Sequence, residues 1–305
     1  MRMREVTAEE IRRLENKAVD IRKKIVDLTV VAGGGHLGGA LSMADIVVAL
    51  YYHVLNVDPK QPRWAERDRF ILSKGHGALG LCPVLADVGF YPEELMADFN
   101  GLDSPFGMHP DHNKIPGIEM STGSLGHGLS VAVGAALAAR LDRAGWRVFC
   151  LLGDGELNEG MVWEAAMSAK QFKLGNLVAI VDRNGLCLDG PTEEVMGLEP
   201  LAEKWRAFGW NTVELDGHDM KALLGAFHAL PPADSDRPTC IVARTVKGKG
   251  VSFMENDPVW HYGGLDDEKA AAVCAELESH RPGASGGASG TGGPSGAGKG
   301  VTGRA

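Results

Sequence analysis

Two short turns carry the residues best suited to chemistry. Gly153-Asp154-Gly155 follows the apolar run Val148-Phe149-Cys150-Leu151-Leu152, and Asn184-Gly185 closes a second apolar run, Leu177 to Val181. Runs this apolar read as strands buried on both faces of a parallel sheet. Ligands of open α/β sheets bind beyond the carboxyl ends of such strands. Asp154 offers a carboxylate and Asn184 an amide oxygen. With a nearby backbone carbonyl they form a hard, oxygen-only set that suits Mg²⁺ or Ca²⁺ and leaves room for water and phosphate oxygens. Gly153 and Gly155 let the backbone approach a phosphate closely, and the start of the helix that follows adds a favourable dipole. Taken singly, each turn is equally well an ordinary tight turn. Their place after consecutive buried strands favours a site. No third glycine completes a dinucleotide fingerprint, and a Walker A sequence is absent.

The elements that position these turns follow from periodicity. Thr7-Ala8-Glu9-Glu10 has capping-box spacing, and Ile11, Leu14, Ala18, Ile21, Ile25 and Leu28 make one apolar stripe of a long helix ended by Gly33-Gly34-Gly35. Ser42-Met43-Ala44-Asp45 opens a second helix running to about Leu55, before Asp58-Pro59. Arg69 to Ser73 is a short strand. Gly160 to Phe172 reads as a helix stopped by Gly175, so residues 148–181 form a βαβ unit. The theme repeats with helices near Leu201–Phe208 and Met220–Ala229, and strands near Thr212–Leu215 and Cys240–Thr245. The class is α/β, a doubly wound, mainly parallel sheet flanked by helices. No internal repeat is present.

Composition narrows the partners. The 305 residues carry 31 Lys plus Arg against 40 Asp plus Glu, a net charge of −9. That argues against nucleic acid or an anionic membrane as the main partner. No apolar segment reaches the length of a membrane span, and Met1-Arg2-Met3-Arg4-Glu5 leads into a charged helix rather than a secretory leader. Cys82, Cys150, Cys187, Cys240 and Cys274 are scattered, with no C-x-x-C pair, and read as reduced thiols of a cytoplasmic protein. Residues 1–280 read as one unit, and 281–305, rich in Gly, Ala and Ser, as a flexible tail.

Further motifs extend the two turns. In order they are Gly34-Gly35-His36-Leu37-Gly38, Asp68 to His76, Gly107-Met108-His109-Pro110, Ser121-Thr122-Gly123-Ser124-Leu125-Gly126, Gly153 to Gly160 and Val181-Asp182-Arg183-Asn184. Together they resemble the thiamine diphosphate signature, and more narrowly the N-terminal section of transketolase, over about Ala8 to Leu265. The resemblance implies the thiamine diphosphate-binding fold in its diphosphate-binding (PP) form. It implies that Asp154, Asn184 and the carbonyl of Leu186 hold Mg²⁺, with Ca²⁺ or Mn²⁺ as substitutes. Gly153 and Gly155 would meet the diphosphate, as would His76. Gly123, Ser124 and Leu125 would line the rest of the cofactor. His36, His109 and His261 would face the sugars, with His109 orienting the donor and the other two serving proton steps. Glu159 would stand near the dimer axis and couple two active sites. Neutral imidazoles can carry the repeated proton transfers of a ketol transfer near pH 7.

The resemblance also implies a partner. Transketolases are much longer, and the section that would supply the pyrimidine-binding and C-terminal domains is not in this sequence. The expectation is a split transketolase, its site completed by a second chain in an α₂β₂ assembly, acting on sugar phosphates. Two readings stand beside it: half of a related enzyme, since Lys247 to Val251 looks more like 1-deoxyxylulose-5-phosphate synthase, and a non-catalytic cofactor-binding or regulatory domain. Ser124 departs from the Pro of many full-length transketolases. Lys247-Gly248-Lys249-Gly250 reads equally as a phosphate clamp or a solvated loop. His53, His218, His228 and His280 have no motif around them and read as structural, while His112 and His127 have no assigned role.

Overall fold

The computed structural model describes residues 6–283. The tail read at 281–305 therefore lies, from residue 284 on, outside the described residues. The first helix, α1 (Ala8–Val31), begins where Thr7 Oγ1 accepts the Glu10 N–H at 3.1 Å. Only half of the expected box forms, because the Glu10 carboxylate turns to Arg13 and His53 instead.

The second helix departs from expectation. Helical backbone starts earlier, as α2 (Leu37–Ser42), breaks at Met43, and resumes as α3 (Ala44–Ala49), followed by a wider π turn over Leu50–Val54. Ser42 cannot cap α3, because its hydroxyl points into the protein and sits 2.6 Å from Asp182 Oδ2.

The rest of the chain alternates strands and helices. In order these are β1 (Arg69–Leu72), α4 (Ala78–Val88), α5 (His127–Leu141), β2 (Val148–Gly153), α6 (Gly160–Gln171) and β3 (Leu177–Arg183). Then come α7 (Thr192–Val195), α8 (Leu201–Ala207), β4 (Asn211–Asp216), α9 (Met220–His228), β5 (Thr239–Arg244) and α10 (Asp267–Ser279). All five strands are parallel, in the order β1-β2-β3-β5-β4.

Alternation along the central strands builds two cores. Phe149, Leu151, Val178, Ile180 and Ile241 face one layer with α1, α3, α4 and α9. Cys150, Leu152, Ala179, Val181 and Val242 face the other, with α5, α6 and α8. Each fully buried aliphatic side chain contributes about 1.5–3 kcal/mol, which fixes register, since a one-residue slip would exchange the two faces. The register sets Gly153 beside Asp182, and Asp182 beside Ala243. The turns that follow β2, β3 and β5 are thereby brought side by side.

Candidate functional site

The two turns meet as the register requires. Asp154 is buried after β2, and its Oδ2 accepts the Gly185 N–H at 2.6 Å and Arg183 Nη1 at 3.0 Å. Its Oδ1 accepts the Gly155 N–H at 2.8 Å. Asn184 Oδ1 accepts the Leu186 N–H at 3.1 Å. Burial, reinforced by the Asp182 carboxylate, pushes the Asp154 pKa up, so the carboxylate gains from any added cation. The carbonyls of Leu186 and Cys187 already converge on one: Lys247 Nζ lies 3.2 and 3.3 Å from them. A carboxylate, an amide oxygen and two carbonyl oxygens on adjacent turns are the donor types that suit a hard divalent cation. Among the described residues no group of three or more His, Cys, Asp or Glu is placed to hold a metal, so the candidate set is this mixed one.

Beside it stands a group of imidazoles. The His36 ring centroid lies 5.0 Å from that of His76, 6.1 Å from His109 and 5.4 Å from His261. Burial holds the pKa of His36 down to about 4, helped by His109 and Lys247. Burial also lowers His261 to about 4, with Lys247 adding to it, and His76 to about 2, with Lys74 adding to it. His36 Nδ1 is buried with no partner among the described residues, as are Asn16 Oδ1 and Trp205 Nε1 elsewhere; only the His36 atom lies among the imidazoles, where it is open to a ligand or water. Lys247 joins the two halves, with Nζ 2.8 Å from His261 Nδ1. Lys247 is buried, so a solvated loop does not describe it, whereas Lys249 is partly exposed and pairs with Glu255.

The remaining expected residues fall in three places. Gly123 sits against His109, where a Cβ would come within 3.0 Å of the imidazole. Ser124 is exposed and Leu125 partly buried on the same loop. That loop is held to the sheet by Thr122 Oγ1, which donates to the Leu72 carbonyl at 2.7 Å. Gly153 and Gly155 flank Asp154, and a Cβ on Gly155 would press the Cys187 Cβ at 3.1 Å. Glu159 is not brought to the imidazoles. It is exposed at the start of α6, and its side chain makes no hydrogen bond or ion pair among the described residues.

Sequence reasoning missed the struts beneath the site. Lys74 and Asp182, both buried, form an ion pair at 2.5 Å. Ser42 and Thr245 also bond to Asp182, and Lys74 holds the Asp182 pKa low against the opposing effect of burial. Glu156 is buried too. It accepts from Gly126 N and Gly153 N at 2.9 and 3.0 Å and from Ser73 Oγ, tying three site loops together. Ser73, Lys74, Glu156 and Asp182 lie inside the motifs singled out above, Ser42 and Thr245 outside them, and no spacing rule marks any of the six as a strut.

Comparison with known proteins places the chain. A family model described as "Transketolase, thiamine diphosphate binding domain" matches residues 14–281. One of the subunits of an apulose-4-phosphate transketolase from Phocaeicola vulgatus is 42% identical over 254 residues, covering 83% of this chain and 90% of that protein. A "6-deoxy-6-sulfo-D-fructose transketolase subunit SqwG" from a Clostridium species is 42% identical, covering 87% and 96%. Among solved structures, the transketolase from Leishmania mexicana superposes with a TM-score of 0.81 at 30% identity, over 87% of this chain and 41% of that one. The chain thus spans about two fifths of that solved transketolase.

Proposed function

The chain belongs to the transketolase family, as its thiamine diphosphate-binding N-terminal section, and from that premise we propose that it is one half of a split transketolase. The reaction is transfer of a two-carbon ketol unit from a ketose phosphate, or a sulfonate analogue, to an aldose phosphate. The relatives named as transketolase subunits match this chain over 90% or more of their own length, which supports a second chain that completes the site, in an α₂β₂ complex. The setting proposed is the cytoplasm. No helix among the described residues is long and apolar enough to cross a membrane.

When bound, thiamine diphosphate supplies the nucleophilic carbon and the electron sink for breaking and making the C–C bond. The protein's own residues do the rest. Asp154, Asn184 and the Leu186 carbonyl would hold Mg²⁺ against the diphosphate, with Gly153, Gly155, His76 and Lys247 as further contacts. His36 and His261, with pKa values near 4, are neutral at pH 7; the unpartnered His36 Nδ1 can accept a proton, whereas His261 Nδ1 already faces Lys247 Nζ. An anion held beside them raises their basicity toward the working range. His109 would orient the donor sugar, Gly123 to Leu125 would line the cofactor, and Glu159, exposed, would meet a neighbouring chain.

One observation carries this reading. The Asp154–Gly185 bond and the imidazole group with its unpartnered His36 Nδ1 share one end of the sheet and are bridged by Lys247. Calorimetry tests it: the protein should take up thiamine diphosphate only with Mg²⁺ present. Asp154→Ala should weaken that uptake by more than about 100-fold, beyond the usual cost of losing an outer-sphere partner. Unchanged uptake in the variant would remove the metal assignment. Native mass spectrometry of the protein from its own cells should reveal a stoichiometric second chain, and a bare homodimer would count against the split enzyme.

A further inference from the structure

His218 stands after β4, in a sequence context that marks no chemistry, yet it joins four distant parts of the chain. Its own N–H donates to Asp216 Oδ1 at 2.8 Å, which fixes the turn. Its Nε2 accepts the Val246 N–H at 2.9 Å. Nε2 therefore carries no hydrogen, the ring hydrogen is on Nδ1, and Nδ1 donates to Asp45 Oδ2 at 2.7 Å. Asp45 is buried on α3 and also takes Arg22 Nη2 from α1 at 2.5 Å.

The residue after Val246 is Lys247, whose ammonium touches the Leu186 and Cys187 carbonyls and His261 Nδ1. Its backbone is pinned on the other side, where Gly248 N donates to the Gly38 carbonyl at 3.0 Å. On the near side, the Val246 N–H is held by His218 alone among the described residues. Arg22 already balances the Asp45 charge. The Lys247 carbonyl accepts the Asn256 N–H at 3.0 Å, and what His218 adds is an acceptor for the backbone N–H just before Lys247.

We propose that His218 is a positioning residue: oriented by Asp45 and Arg22, it holds Val246 and so sets Lys247 against the anionic end of the cofactor. The inference rests on the transketolase reading of the site. It assigns a role in binding to a histidine that acts only through Val246 and Lys247. A displacement on the order of 1 Å in such a support is enough to weaken a site considerably.

Two substitutions separate positioning from mere structure. His218→Gln keeps an acceptor near the Nε2 position. His218→Asn keeps a donor near the Nδ1 position, toward Asp45, but cannot reach Val246. In cofactor-free protein isolated from its own cells, the Val246 amide should exchange hydrogen at nearly the wild-type rate in the Gln variant. In the Asn variant it should exchange at least about ten-fold faster. Calorimetric titration with thiamine diphosphate and Mg²⁺ should give a near-wild-type Kd for Gln and a Kd about ten-fold or more weaker for Asn. Both variants should melt within about 3 °C of wild type. Equal behaviour of the two, a larger loss in Gln, or failure of either to fold overturns the proposal and leaves His218 a structural residue. Failure of the wild type itself to take up the cofactor would instead overturn the reading of the site. The exchange rates would still judge the link from His218 to Val246.

Discussion

The two ends of the sheet both collect histidines and charges, yet they are built on opposite terms. At the amino end, His53 Nδ1 meets Glu10 Oε1 at 3.1 Å, and its Nε2 meets His228 Nε2 at 3.1 Å. Asp68, just before β1, accepts the backbone N–H groups of Asn56 and Arg147, each at 2.8 Å. His53, Asn56, Asp68 and Arg147 line a cavity of about 420 Å³, and the polar groups around it satisfy one another. At the carboxyl end, His36 Nδ1 has no partner among the described residues. There the imidazoles face one another and Lys247, and three of them are held far from protonation. A cavity alone does not mark a site. Unsatisfied polar groups held next to like charges do, because such an arrangement costs stability and persists only where something else requires it.

The largest effect should come from breaking the strut under the site. Lys74→Met leaves the Asp182 carboxylate buried without its cation, and breaking one side of a buried pair typically costs about 3–5 kcal/mol. Denaturant titration of the variant should therefore show a strongly lowered midpoint, or no folded protein. A variant as stable as wild type would mean that the carboxyl end is not strained by its charges.

Acid should undo the two ends at different pH. The unfolded chain protonates its histidines near 6.5, whereas His36 and His261 in the fold wait until about 4 and His76 until about 2. Below pH 6.5 the unfolded state therefore binds more protons. Stability is fully present above 6.5 and drains as pH falls from 6.5 towards 4 and, for His76, on towards 2. Glu10 weakens with acid in the same direction but over a lower range of pH. Arg13 above all, and His53, hold its pKa down to about 2 against partial burial. Its contribution stays whole above pH 4.5 and fades only as pH falls towards 2. Melting curves at half-unit pH steps should show wild type weakening from pH 6.5, with His36→Asn flattening that slope. An unchanged slope in His36→Asn would contradict the placement of His36 as a buried neutral imidazole.

The satisfied end should behave as pure structure. His53 has no exposed side-chain surface, and His53→Ala removes the partner of His228 and leaves Glu10 with Arg13 alone. The expected loss is about 1–3 kcal/mol of stability, with the affinity for thiamine diphosphate and Mg²⁺ unchanged. A ten-fold loss of cofactor affinity in this variant would join the two ends and erase the contrast drawn between them.

The same contrast shows why part of the molecule is legible in its sequence. The apolar runs of β2, β3 and β5 announce themselves, since strands buried on both faces tolerate almost nothing polar. Each ends in a turn whose residue types are chemical, so Asp154, Asn184 and the surrounding glycines can be read directly. The pairings beneath the site cannot. Lys74 and Asp182 are 108 positions apart, and Ser73 and Glu156 are 83 apart. Periodicity reports only local neighbours. His218 escapes notice for the same reason, as its partners lie on α3 and in the loop after β5. The helix α5 offers no signal either. It is mostly Ala, Gly, Val and Leu, with too little polar contrast to reveal a face. The misplaced start of the second helix comes from Ser42, whose type and spacing suit a cap but whose hydroxyl the fold uses on Asp182.

The smallest effect should come from Ser124, within a loop where larger effects would be expected. Ser124 is exposed, and its N–H takes part in no backbone hydrogen bond among the described residues. Proline there removes no donor that the fold uses. The residue before it is Gly123, which has no Cβ to meet the proline ring. Ser124→Pro should therefore change stability by less than about 0.5 kcal/mol. Cofactor affinity should stay within about threefold of wild type. His109, which packs on Gly123 rather than on Ser124, would be left where it is. A tenfold loss of affinity would mean instead that the Ser124 hydroxyl, or the freedom of its backbone, is part of how this loop accepts the cofactor. The carboxyl end would then extend one residue further along the loop than its hydrogen bonds indicate.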